Sequence, residues 1–142
     1  MAIAHPTIQQ FRDTIADLNS RFPRPTLPLT ASAPYDVYKD YAKTFPNSSD
    51  PGVYALIHED GSEVLRIGKA RCLGCRLGAY FMWEDKTAGK GMVKHPDYSK
   101  ARYIITVRVP TDRAFEAHSI EGYLLGKLKP CLNKMFESFE DD

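Results

Sequence analysis

One carboxylate stands where a carboxylate is expensive. At about 100° per residue, Ala117, Ile120, Leu124, Leu125 and Leu128 fall on one broad helical face, and Glu121 falls inside it. A charge among apolar neighbours must be paired or must bind a cation. Glu121 is therefore either half of an ion pair with an Arg or Lys from the sheet, or an acid mounted on a rigid helix to hold a metal or act in catalysis. His118, one turn earlier, is the histidine nearest to it in sequence. Upstream, Gly52-Val-Tyr54 and Arg66-Ile-Gly-Lys69 set polar side chains beside glycines, where a backbone or a phosphate can approach closely. Arg76 and Tyr80 are four apart and would share a helical face. Taken singly, these are weak signals, since a tyrosine on a strand is usually a core residue. Cys72-Leu-Gly-Cys75 has the spacing of zinc and redox sites. Zinc needs two further ligands, and only Cys131 and scattered histidines are on offer, so the pair reads as the start of a helix.

The charge pattern adds to this. From Arg66 to Arg102 the chain carries nine Lys or Arg against three acids, whereas four of its last six residues are acidic. A basic middle could hold phosphates, and an ordinary solvated face would look the same. Arg66, Lys69, Arg71 and Arg76 are dense beside the glycines and are expected to line one concave face that holds a nucleic-acid backbone. The overall charge of +1 decides nothing. No run approaches the ~18 apolar residues of a membrane span, and no apolar segment follows a basic start, so neither a membrane anchor nor a signal peptide is expected. Three cysteines do not make a disulfide framework, and a reducing, cytoplasmic setting is the expectation.

The elements that must position these residues can be read in outline. At 142 residues the chain fits one domain. Ile8, Phe11, Ile15, Leu18 and Phe22 recur at helical spacing over 7–22, opened by a Thr7/Gln10 capping box. Pro23, Pro25, Pro28 and Pro34 forbid helix. A short amphipathic segment, 35–45, and a loop, 46–51, follow. Residues 1–50 thus read as an extension, packed on the rest or swinging beside it, and offering a possible dimer surface. Two β-prone runs flank Asp60-Gly61, a hairpin signal, predicting strands near 53–58 and 63–68. A helix is expected over 71–82, a long polar loop over 84–100, and a third strand over 102–109. Thr111 could cap a helix running to about Leu128, with Pro130 marking its end. The order is β-β-α-β-α, an α+β class. Residues 51–136 form the main domain and 137–142 an acidic tail.

Together, Gly52-Val-Tyr54, Ile67-Gly-Lys69, Arg76 with Tyr80, Glu121 and Pro130-Cys-Leu-Asn133 resemble the GIY-YIG endonuclease family, in the right order over about residues 51–134. The stretch from Gly68 to Phe81 looks most like the nuclease domain of the bacterial nucleotide-excision repair endonuclease. The resemblance implies a small three-stranded antiparallel sheet flanked by helices. It also implies hydrolysis of duplex or branched DNA with Mg²⁺ or Mn²⁺ held by Glu121. In that family's terms, Tyr54 stands near the attacking water as general base or orienter. Lys69 lowers that tyrosine's pKa or contacts phosphate, Arg76 clamps the scissile phosphate, Tyr80 sits beside it, and Asn133 braces the site. One position departs from the pattern: Arg66 stands where the family's second motif has tyrosine, and an arginine cannot be a general base. Three readings follow: a metal-dependent endonuclease, a nucleic-acid-binding module that has lost cleavage, or a protein-interaction domain in which Glu121 and Arg76 form an ion pair.

Overall fold

A computed structural model of the chain describes residues 6–24, 28–85, 90–93, 98–130 and 133, with the backbone alone over 82–85 and 90–93. The elements are α1 (Ile8–Arg21), β1 (Tyr35–Asp36), α2 (Val37–Asp40), β2 (Gly52–His58), β3 (Val64–Ala70), α3 (Leu73–Tyr80), β4 (Phe81–Asp85), β5 (Lys90–Val93), β6 (Ala101–Arg108) and α4 (Glu116–Leu128). The α+β class expected from the sequence is what the chain adopts. The strand count differs, because the sheet has four strands in the order β1-β6-β2-β3. The extra strand is only two residues long, Tyr35 pairing with Ile104 and Asp36 with Tyr103. Such a strand has no periodicity to read; it is selected by the edge of β6 and by burial of the Tyr35 ring. The segment over 84–100 also departs from the expected loop. β4 and β5 pair antiparallel, while residues 86–89 and 94–97 lie outside the described set, as do the Trp83 side chain and the acidic tail over 137–142.

The β2–β3 hairpin forms as its turn signal implies. Gly61 takes φ +82°, a left-handed conformation that side chains resist. β2 is the centre of the molecule, paired with β3 on one side and β6 on the other. Its residues 52–57 are all buried, so both faces of the sheet are covered, and alternation along the strand sorts its side chains between two cores. Val53, Ala55 and Ile57 join Phe11, Ile15, Ala117, Ile120 and Leu124 under α1 and α4. Tyr54 and Leu56 join Leu73, Leu77 and Tyr80 under α3.

The N-terminal segment belongs to this packing. α1 begins with the full capping box, Thr7 and Gln10 bonding each other's backbone N–H groups. It lies on α4, where the Tyr123 hydroxyl donates to Asp17 at 2.6 Å and Arg24 pairs with Glu116. Asp36 caps α2 and takes both Nε and Nη2 of Arg102 at 3.0 and 2.9 Å. The Arg102 guanidinium also lies 4.6 Å from the centroid of the Tyr38 ring. One cation of the basic middle is thereby a structural partner rather than a phosphate donor.

α4 starts at Glu116, four residues later than a cap at Thr111 would have placed it, because Thr111–Arg113 forms a separate 3₁₀ turn. Its end is as expected: Lys129 turns into the left-handed region (φ 47°) immediately before Pro130.

Candidate functional site

β3 is an edge strand, and a cleft of about 830 Å³ runs along it between α3 and α4. Partners directly opposite each other on adjacent strands share a face. Gly68 sits opposite Tyr54 and Arg66 opposite Leu56, on the α3 side; Lys69 sits opposite Val53, on the α4 side. Alternation from Gly68 keeps Arg66 on that side, and a bulge at Leu65 follows, where the pairing skips from Leu56–Arg66 to Ile57–Val64. The edge strand therefore presents cations to both faces. The cleft is lined by Tyr54, Arg66 and Lys69 from the sheet, Arg71 from the link after β3, Arg76 from α3, and His118 and Glu121 from α4. The four cations singled out in the sequence share one concavity. Tyr80 and Asn133 are placed elsewhere.

Glu121 is buried to 8% exposure. Its Oε1 lies 3.6 Å from Nζ of Lys69, and that same ammonium lies 3.4 Å from Nδ1 of His118. The partner is thus a lysine from the sheet, one of the two residue types expected, and not the Arg76 of the protein-interaction reading. The reason Lys69 meets Glu121 is strand parity: Lys69 projects toward α4, whereas Arg76 rides on α3 across the sheet. Among the described residues no cluster of three or more His, Cys, Asp or Glu could enclose a metal. A cation here would be held by Glu121 with open positions left for water and ligand oxygens, the arrangement that Mg²⁺-sized ions favour at phosphate sites.

Tyr54 forms the floor of the α3 side. Its hydroxyl shares a 2.8 Å hydrogen bond with the hydroxyl of Tyr80, and it hydrogen-bonds Arg76. Burial, with the neighbouring Tyr80 phenol, pushes its pKa up, and Arg76 and Arg66 oppose this only in part. Of the two roles expected of Lys69, lowering this pKa or contacting phosphate, the first runs against the direction that burial sets. Tyr54 is a neutral phenol that can donate or orient; it is not a phenolate. Tyr80, itself buried, stands behind Tyr54 and lies 5.8 Å under the Arg76 guanidinium. Tyr35 is also pushed up, to about 12, mainly by burial. A raised folded-state pKa contributes stability that is complete below the unfolded value near 10 and is lost as pH rises through the folded one. Stability is therefore expected to fall above about pH 10. Tyr54→Phe should lessen that fall, at a cost of about 1–3 kcal/mol at neutral pH for the buried hydrogen-bond partners it leaves behind. Equilibrium denaturation across pH 7–11 (on the order of three points per unit) checks both statements; a flat profile contradicts them.

Gly68 explains the glycine of its motif. A Cβ built there would lie 2.2 Å from the Tyr54 hydroxyl oxygen, so the ring occupies the space that any side chain would need. Gly68→Ala is expected to displace Tyr54 and to cost about 1–3 kcal/mol, the usual range for overpacking. Thermal melting, with a Tyr54→Ala background in which the cost disappears, tests this. Gly52 is fixed in the same way by the carbonyl of Val107, 2.1 Å from a Cβ there.

Two further residues hold the walls. Asn133 lays its side-chain amide along the outer edge of β3, donating to the Ile67 carbonyl and accepting from the Ile67 N–H, both at 2.9 Å. It acts as one residue of a missing strand and ties the segment after α4 to the cleft. At the start of α3, Cys72 is the N-cap, accepting from the Cys75 N–H, and the two cysteines are joined as a disulfide. The pair does start a helix, as its spacing suggested, but it is also bonded. The loop before β2 covers this end: Leu73 and Gly74 donate their N–H groups to the carbonyls of Asp50 and Ser48. The cleft residue that the sequence reading missed is Phe115, on the rim just before α4. Its signal was available, since it falls outside the apolar stripe of the helix it precedes.

Compared with known proteins, the chain is 32% identical over 98 residues to the UvrABC system protein C of Agrobacterium fabrum. The aligned stretch is 69% of this chain and 13% of that protein, so the chain spans a small part of its relative. No family model matches the chain. No solved structure matches it significantly.

Proposed function

We propose that the cleft is the active site of a metal-dependent endonuclease of the GIY-YIG type that hydrolyses DNA phosphodiesters. The observation that carries this reading is the convergence of Glu121, Tyr54, Arg76 and three further cations on one concavity at the sheet edge. The similarity to part of the UvrABC system protein C supports it and points to DNA as the substrate. The donor set fits a hard divalent ion: one carboxylate, opening into a cleft whose other walls attract phosphate oxygens. When bound at Glu121, Mg²⁺ or Mn²⁺ would supply Lewis-acid stabilisation of the charge on the leaving oxygen.

The chain's own residues do the rest. Arg66, Lys69, Arg71 and Arg76 draw in the phosphate backbone, and Arg76 presents a planar, permanently charged fork to the scissile group. Tyr54, neutral and pinned between Tyr80 and Arg76, holds its hydroxyl at a set position and orients a water through it. Lys69 balances Glu121 in the free protein and is available to phosphate once another cation takes the carboxylate. Asn133 keeps β3 and the end of α4 in register beneath the cleft.

A second reading has specific support. Arg66 stands at the family's second tyrosine, and the remaining Tyr54 phenol is held neutral. A DNA-binding module without cleavage would share every cation of the site. Nicking of supercoiled plasmid with and without Mg²⁺ or Mn²⁺ separates the two readings. Salt-dependent DNA affinity separates both from a protein-interaction domain, because neutralised phosphates give affinity that falls steeply with salt.

A further inference from the structure

Phe115 is out of place by its own chemistry. It is 71% exposed, and the other large exposed apolar residue among those described, Phe22 at 58%, has a ring partner, with its centroid 6.1 Å from that of Tyr123. Among the described residues the Phe115 ring stacks on no other aromatic ring. Its backbone is fixed: it occupies the last position before α4, three residues from His118 and six from Glu121, behind a 3₁₀ turn closed by an Arg113 N–H to Pro110 carbonyl bond. A solvated ring on a fixed backbone is ready to receive a flat ligand.

The surroundings define that ligand. Phe115 lines the same cleft as Arg66, Lys69, Arg71 and Arg76. A cationic groove that follows a phosphate backbone, with an aromatic face at its edge, is the combination by which proteins hold unpaired nucleotides; every base has a π-face, so stacking needs no sequence match. In a regular duplex the base faces are already covered by their neighbours, and an aromatic ring on the rim gains nothing from them.

Resting on the nuclease reading, we propose that Phe115 stacks on an unpaired base of the DNA held in the cleft, so that the site takes DNA with an unstacked nucleotide in preference to continuous duplex. The substrate class is thus a single-stranded stretch, a flap or a locally opened duplex. Phe115 is a specificity-determining residue at the rim, without a role in bond breaking.

The test uses the full chain without divalent metal, so that binding is read without cleavage. The probes are a single-stranded oligonucleotide, a flap and a duplex of equal length, with 2-aminopurine placed in turn along the unpaired segment. Phe115→Ala is expected to weaken binding of the unpaired probes by about 5- to 150-fold, the range that base–aromatic stacking contributes. It should abolish 2-aminopurine quenching at one position and leave duplex affinity and the melting temperature unchanged. Phe115→Trp should preserve both preference and quenching. Equal loss on all three probes, or no loss on any, overturns the proposal while the wild-type protein still binds and cuts. Sedimentation is the second readout: if Phe115→Ala instead turns a dimer into a monomer with DNA binding intact, the ring serves protein contact and the proposal is wrong. Absence of any salt-dependent DNA binding by the wild type overturns both this proposal and the reading beneath it.

Discussion

Glu121→Gln is expected to lower DNA cleavage by about 10²-fold or more, the scale on which loss of one preorganised charge-stabilising group acts. The chain should remain folded and still bind DNA. Glutamine keeps the shape of the side chain and removes the charge that attracts a cation. The geometry makes this substitution informative. The carboxylate is buried, yet its partner Lys69 keeps a quarter of its side chain accessible, with His118 beside it. Removing the carboxylate leaves an ammonium that water can still reach, so little stability should be lost. If the pair were purely structural, breaking it would cost up to about 3–5 kcal/mol, the penalty for orphaning a buried charge. Single-turnover cleavage, thermal melting and DNA affinity measured on one preparation resolve this. A variant that melts far earlier but cuts at the wild-type rate while folded would remove Glu121 from the chemistry.

Arg76→Lys should be nearly as damaging, and it separates charge from shape. Arg76 hydrogen-bonds the Tyr54 hydroxyl and lies over the Tyr80 ring, so its guanidinium both orients the phenol and faces the cleft. Lysine keeps the charge and loses the planar fork. Cleavage is expected to fall by about 10²-fold for Lys and by up to about 10³-fold for Ala. DNA affinity should drop only modestly, with the salt dependence reduced by about one ion for Ala and unchanged for Lys. Wild-type cleavage by the lysine variant would show that Arg76 contributes only as a point charge.

How far these assignments could be read from the chain depends on which interactions set each feature. The hairpin was legible because Asp60-Gly61 is local turn chemistry, and α1 because Thr7 and Gln10 cap it within one turn. Glu121 was legible because an apolar stripe makes a carboxylate conspicuous. Its partner was not: whether Lys69 or Arg76 meets Glu121 depends on which face of the sheet each occupies. Pairing of Lys69 with Val53 on the α4 side of the sheet, and the place of Arg76 on α3, decide that, and spacing along the chain does not. The acidity of Tyr54 was not legible for a related reason. Alternation along β2 turns its ring under α3, where burial outweighs the nearby cations. β1 and the β4–β5 pair were illegible because the first is two residues long, while β4 continues directly from the apolar end of α3 and β5 is only four residues long. Their pairing is set by the edges they meet.

On the proposed function, the cleft cuts DNA and needs a divalent ion to do so. The most direct measurement is nicking of supercoiled plasmid by the wild-type chain in Mg²⁺ or Mn²⁺, in chelator, and beside Glu121→Gln. Open-circular product is expected with the ion, none in chelator, and a loss of about 10²-fold or more in the variant. Tight, salt-sensitive binding of the plasmid with no nicking under any ion would contradict it and leave a binding module.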